Sequence, residues 1–545
     1  MTFSSRVLTA TAVAAVFAVR LTAQSSQALV IEDFVTMPMT ESPAGTGNVG
    51  SLARVSMMRE EPGGRGRLFV SDLNGPLYML DKRTRAFATY LDFNGRDEKT
   101  GLFERLPYTA GYQNGFISFA FDPDYVSNGI FYTLHMEEPS AKGALIPDNA
   151  RFPGLSLTGY TPTVAIKIPG DTQRETVLIE WTDTDVRNTI FEGTAREILR
   201  LETNTRIHPP GDLIFNPTAR RGDPDWRVLY LASGDGGAGE QSGPMRQNPQ
   251  RLDTLVGKIL RIVPDLSLYQ QSATISENGR YRIPSDNPFV EVAGARKEIW
   301  AYGFRNPHRL TWDVDPATGT SHLIAASIGL ATWEAIYIVR KGANYGYPAR
   351  EGNQILQADN RTAPLPAKDA LAVQISETRT NGTVVPVYPV AQFDHTTNGG
   401  DAISGGFVYR GTRLPSLVGK YVFGDITTGR IWFADLKEML AADDRNAATM
   451  ATLQPLQVRW DDPGDLPDAG PQLFPRMFPV VLAAYTRRGG TDADLPGRST
   501  VSGPGRADIR FAVDAAGELY ILSKGDGMIR AVTGVVPVPL APARN

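Results

Sequence analysis

Cysteine is absent from all 545 residues. That excludes disulfide staples, thiolate nucleophiles, cysteine-ligated zinc and a lipid anchor on cysteine. Histidine is scarce as well: His135, His208, His308, His322 and His395 are the full set, and no two have the spacing of a helical zinc site. Blocks of basic charge are missing, and the formal net charge is -4. Nucleic acid is therefore not expected as a partner. Beyond the first few dozen residues no apolar run is long enough to span a bilayer. Helical periodicity is thin, with one short helix expected within 246–260 and another within 436–448.

What the chain has in quantity is turn formers, 53 Gly and 39 Pro, as many short strands require. Residues 1–28 read as a secretory leader: Arg6 charges its start, 7–19 are apolar, Arg20 interrupts the run, and small residues follow at Ala23 and Ala28. The mature protein is expected in the periplasm or the medium. A unit then recurs, a short apolar strand ending in an aromatic residue, a tight turn and a second strand. RLFVSDLNGPLYML, RVLYLASGDGG, GKYVFGDITTGRIWFADL and GELYILSKGDGMIRAV are examples. Its recurrence to the C-terminus favours blades of an all-β propeller over a large sandwich assembly, across 29–535. Segments 138–194, 353–390 and 441–505 read as inserted loops, and 536–545 as an extended tail.

The most unusual stretch is EIWAYGFRNPHRLTWD, Glu298 to Asp313. Its alternating aromatics ask for a strand, and Pro307 is expected to end that strand at Asn306. Arg305 and Asn306 would then stand at a strand mouth, where a guanidinium and an amide suit a bound anion or a structural ion pair equally. His208 lies in RIHPPGDLIF, whose two prolines stiffen its loop and aim its ring. It suits a general base near neutral pH, although a lone histidine is often structural. Asp235, in ASGDGGAGE, could orient that ring or simply bond its own turn. The Gly234–Gly239 run formally matches G-x-G-x-x-G, but EQSGPMRQNP makes a poor following helix, so a nicotinamide site is rejected. Gln113 and Asn114 precede an apolar strand, an ordinary turn in isolation.

Taken in order, QNGFISFAFDPDYVSNG, IHPPGDLIF, SGDGG, QNPQRLDTLVGKILRI, IPSDNPF, EIWAYGFRNPHRLTWD, GANYGYPAREG and SGGFVYRGTRLPSLVGKYVFGD resemble the soluble pyrroloquinoline quinone (PQQ)-dependent sugar dehydrogenases of the glucose/sorbosone dehydrogenase family. The resemblance spans about 68–530. It implies a six-bladed propeller with loop insertions and a site on its top face. It also implies an aldose or related alcohol as substrate, PQQ and calcium as cofactors, and a soluble electron acceptor, in a monomer or homodimer.

Residue by residue, the resemblance gives His208 the proton of the sugar hydroxyl, Asp235 the orienting of that base, and Gln113, Arg305 and Asn306 the quinone. Arg430 is the nearest candidate for the PQQ carboxylates. Calcium would take the carbonyls of Gly329 and Leu330, with Glu334 and the Tyr345 carbonyl as a further site. That further site is incomplete, because Ala335 stands where a second acid is usual. This loss leaves room for a catalytically idle propeller that binds a protein or carbohydrate. A calcium-dependent lactonase would need a central cage of acids and amides that the sequence does not assemble.

Overall fold

The computed structural model describes residues 27–40, 52–107, 113–240, 242–396, 400–464, 468–490 and 506–538. Most of the expected leader and of the expected tail lies outside these residues.

Alternating apolar residues between tight turns give antiparallel meanders in chain order. The first runs through Val55–Glu60, Arg67–Asp72, Pro76–Asp81 and Phe87–Asp92. The second uses Phe116–Phe121, Ile130–Glu137, Arg174–Asp183 and Gly193–Thr203, with a short fifth strand. The third comprises Pro210–Phe215, Leu229–Ser233, Lys258–Ile262 and Ile299–Tyr302, and the fourth Asn306–Val314, Ser321–Ile328, Trp333–Ile338 and Ala391–Asp394. A nine-stranded sheet holds most of the rest, and three small sheets of two or three strands lie in the insertions. In it, Gln27–Thr36 runs parallel to Gln454–Trp460 and antiparallel to Met528–Pro537.

The leading strands of these meanders pack on one another in turn. Val55–Glu60 touches Phe116–Phe121, and contact passes through Pro210–Phe215, Asn306–Val314, Ile403–Val408 and Ile509–Val513 back to Val55–Glu60. That closed circuit makes the fold an all-β propeller. The residues just before each leading strand, and the hairpin turns between second and third strands, gather at one end of it. Apolar clusters fill the wedges between sheets, as where Phe93 stacks on Phe116 at 4.1 Å with Trp181 edge-on.

Several expectations change. The stretch Glu298 to Asp313 is two strands rather than one. Ile299–Tyr302 is the outer strand of one sheet and Asn306–Val314 the leading strand of the next, so Arg305 sits in the crossing. Pro307 falls in a register shift between Asn306 and Arg309, where its missing N–H costs no ladder bond. Residues 246–260 are not helical: Pro244–Gln247 forms one 3-10 turn and Lys258–Ile262 is a strand, since Pro249 removes the donor a helix needs there. The supposed loop 138–194 contains Arg174–Asp183, and helix Phe478–Arg487 lies within 441–505. The charges that suggested a loop are paired in place, Glu180 with Arg196 and Glu175 with Arg200. The closing strands also begin and end past the expected boundaries. Ala28 is buried and pairs with Gln457 and Val536, and Pro537 pairs with Gln27.

Because the N-terminal strand joins two meanders, its buried face should matter to the whole ring. Leu29→Asp places an unpaired carboxylate at a fully buried position and should cost about 3 kcal/mol or more. A melting curve should show a fall of several degrees, while Glu32→Lys, on the exposed face, should leave the midpoint unchanged.

Candidate active site

His208 is held by its backbone before its side chain does anything. Its φ is +53°, an unusual conformation for a residue with a side chain. Its carbonyl accepts from Gly236 N at 3.1 Å. A Cβ on Gly234 would lie 2.4 Å from that carbonyl oxygen, so only glycine lets the two loops approach.

Across this contact His208 Nδ1 meets Asp235 Oδ1 at 2.7 Å. A carboxylate there can only accept, so Nδ1 carries the proton and Nε2 keeps its lone pair. Burial alone would raise the Asp235 carboxyl, but His208, Arg305 and the Gly237 amide outweigh it and hold it below the usual range. Asp235 N donates to the Arg305 carbonyl at 2.7 Å, tying the pair to the next crossing.

The Arg305 guanidinium is buried. Nη1 donates to the Gly329 carbonyl, Nη2 to the Glu240 carboxylate, and Nε has no partner. Burial pulls its pKa down, but Glu240, Tyr347, Asp235 and Glu334 together hold it above its ordinary value. Glu240 also lies 3.7 Å from His208 Nε2.

On the other side, Gln113 Nε2 donates to the Gly211 carbonyl at 3.1 Å, and Gln113 Oε1 faces His308 Nδ1 at 3.0 Å. With the amide so oriented, His308 donates through Nδ1 and its Nε2 is a buried acceptor without a donor. Burial, then Arg309, Arg510 and Lys524, push His308 well below the usual imidazole range, so it is neutral. Asn306 Oδ1 and Asp235 Oδ2 are likewise buried without partners. Gln113, His208, Asp235, Arg305 and Asn306 therefore converge at one end of the ring, from three sheets.

Sequence reasoning missed a group of buried cations beside them. Lys524 Nζ and Arg510 Nη1 share Asp508 Oδ1 at 3.5 and 3.1 Å, and Arg309 spans from Gly211 and His308 to Ser56. Arg54 adds to the field on Lys524. Burial first, then like-charged neighbours, lower Lys524 far below its ordinary value; burial brings Arg309 down to about 9, with Asp212 opposing and Arg510 and Arg59 adding to the fall. The available signal was a charged residue inside a buried apolar strand, Arg510 in IRFAV, and a lysine at a hairpin tip, Lys524 in ILSKGDG. Arg430 sits elsewhere on this end, in the turn between Lys420–Asp425 and Ile431–Asp435. It bonds through its backbone to Asp425 and Thr428, and among the described residues no side-chain bond links it to the site.

Gly329, Leu330, Glu334 and Tyr345, expected around calcium, all carry protein hydrogen bonds. Among the described residues no group of three or more His, Asp or Glu side chains could hold a metal ion. Glu334 is buried and committed to His395 Nε2 at 2.9 Å, Gly329 N at 3.1 Å and Ile403 N at 2.7 Å. Tyr345 stacks on Phe304 at 4.2 Å and bonds Ile338 and Arg340. The Gly329 carbonyl accepts from the Arg305 guanidinium. Leu330 N belongs to a turn whose four successive amides, Leu330 to Trp333, all donate to Glu351 Oε1 at 2.7 to 3.1 Å. The turn thus owes its shape to Glu351. Gly329 is needed because a Cβ would lie 1.9 Å from the Trp333 carbonyl, not because of a positive φ.

Several known proteins are similar to this chain in sequence. HIPL1 protein of Arabidopsis thaliana is 25% identical over 432 residues, covering 75% of this chain and 56% of its own length. Aldose sugar dehydrogenase YliI of Escherichia coli is 30% identical over 160 residues, 29% of this chain and 33% of its own. Hedgehog-interacting protein of Mus musculus is 24% identical over 363 residues, 66% of this chain and 39% of its own. The chain spans about half the length of the HIPL proteins it matches. Among solved structures, the soluble aldose sugar dehydrogenase of Escherichia coli in its apo-form superposes with a TM-score of 0.52 at 17% identity, over 93% of this chain and 99% of that one, which speaks for the fold alone. The Glucose / Sorbosone dehydrogenase profile matches residues 64–459, most of the chain. This protein belongs to the Glucose / Sorbosone dehydrogenase family.

Proposed function

We propose that this protein is an exported quinoprotein on a six-bladed propeller, oxidising an aldose or related alcohol at the carbon that bears the reacting hydroxyl. The observation that carries the reading is the pairing of an oriented base with an under-neutralised cation group. His208 Nε2 keeps a free lone pair beside Arg305, and Arg309, Arg510 and Lys524 are buried within electrostatic reach of His308. Orphaned Arg305 Nε, Asn306 Oδ1 and His308 Nε2 add one donor and two acceptors. PQQ, a planar trianion with quinone oxygens, fits such a set: Arg305 and Asn306 would hold the quinone edge, with the cations near its carboxylates. When bound, it supplies a two-electron acceptor for hydride.

The chain's own groups do the remaining work. His208 takes the hydroxyl proton at Nε2 as the carbon gives up hydride, and Asp235 stabilises the imidazolium. Arg305 supports the negative charge that arrives at the acceptor. Electrons then leave to a soluble acceptor. Export is read from the leader. Cleavage after Ala23 would keep the strand from Gln27 whole, whereas cleavage after Ala28 would remove its first two pairs.

A second reading, an idle propeller that recognises a partner, is favoured by the coverage of HIPL1 protein and Hedgehog-interacting protein. His208→Ala separates the two. Turnover should fall by about two to four orders of magnitude while PQQ affinity, by calorimetry, stays the same. His308→Ala leaves base and carboxylate in place and should cost far less. Absence of turnover in the unsubstituted protein, with PQQ or without it, would support the second reading.

The cation group makes binding pH-dependent. Burial and like-charged neighbours hold the Lys524 pKa well below its ordinary value, so a carboxylate arriving beside it raises that pKa. Binding therefore takes up protons, and affinity falls as pH rises. Calorimetry in buffers of different ionisation enthalpy should show that uptake, and Lys524→Met should abolish it. Because the Gly329 carbonyl already faces Arg305, the dissociation constant for PQQ should be the same in excess chelator as in added calcium. A large loss in chelator would mean that the ion displaces the guanidinium.

A further inference from the structure

The Glu240 carboxylate sits in the one place the proposed reaction must keep clear. Its Oε1 accepts from Arg305 Nη2 and lies 3.7 Å from His208 Nε2, between the base and the anion-holding guanidinium. An atom reacting between those two groups has to contact both. The side chain is 40% exposed, so it can turn toward solvent, whereas Asp235 and Arg305 are buried.

The backbone beneath it is fixed. A Cβ on Gly239 would lie 2.2 Å from the Tyr347 hydroxyl and 2.3 Å from Asp235 Oδ2, and that hydroxyl also donates to the Gly239 carbonyl at 3.3 Å. Rotation of this one side chain is enough to clear the place between Arg305 and His208.

We propose that Glu240 is a resident anion that occupies the Arg305 seat until the anionic cofactor displaces it. This rests on the quinone reading above. While Glu240 is seated, the guanidinium is neutralised and the base is screened from small molecules. Displacement frees Arg305 for the incoming oxygens and sends the carboxylate to the rim of the site. Glu240 is a positioning residue in this account. It takes no proton and touches no reacting atom once displaced.

Titrating PQQ calorimetrically into the full-length protein and into Glu240→Gln tests the idea. The amide keeps the size but cannot hold Arg305 as an ion pair, so affinity should rise about tenfold. The gain should vanish when Glu240→Gln is combined with Arg305→Met, because the competition is for that guanidinium. Equal or weaker binding by Glu240→Gln would overturn the proposal. So would a gain that persists without Arg305, which would mark plain repulsion between carboxylates. If no form of the protein binds PQQ, the quinone reading falls and this inference falls with it.

Discussion

Positive charge that is buried and only partly neutralised constrains everything at this end of the propeller. Lys524, Arg510 and Arg309 are almost wholly removed from water, and Asp508 is the one carboxylate shared by the first two. Desolvation opposes each of those charges and the like-charged neighbours add to it, while Asp212 offsets part of this at Arg309 and Asp508 at Arg510 and Lys524. A fold tolerates such a group when backbone carbonyls bind the guanidinium protons, as those of Gly211, His308 and Ser56 do for Arg309. It has reason to keep one when an anion completes it.

The ring of leading strands is what brings these side chains together. Each sheet contributes the residues that precede its leading strand or fill its hairpin turn, so groups far apart in sequence share one surface. Arg305 links the two halves. Its carbonyl accepts from Asp235 N and its guanidinium reaches Gly329 and Glu240. One side thereby holds a histidine with a fixed proton and a free lone pair. The other holds His308, kept neutral by the surrounding charge and bonded to Gln113. The two imidazoles are set in opposite electrostatic surroundings, and only His208 has a carboxylate to stabilise its charged form.

What could be read from the sequence was local stiffness. Two prolines after His208, the glycines around Asp235 and Pro307 after Asn306 mark backbones that are held, and those residues meet. The propeller was legible because its hairpins repeat to the last strand. Long-range charge was not legible. Arg510 and Lys524 sit in stretches that look like plain hairpin, and their importance comes from the nearby charges of Arg309 and Arg54, which lie hundreds of residues away in sequence. Strands rich in paired charge, such as Arg174–Asp183, resemble loops until Arg196 and Arg200 are seen opposite them. Only the family resemblance gave Glu334 a metal, and His395, distant in sequence, bonds its Oε1.

The most direct test of the account is spectroscopic. Purified protein is mixed with PQQ, the absorbance of the bound quinone is recorded, and an aldose is then added without any other electron acceptor. The account predicts a bound-quinone spectrum that the aldose converts to the reduced form, with no such conversion on the same timescale in His208→Ala. A bound quinone that a panel of aldoses and related alcohols leaves oxidised would contradict it.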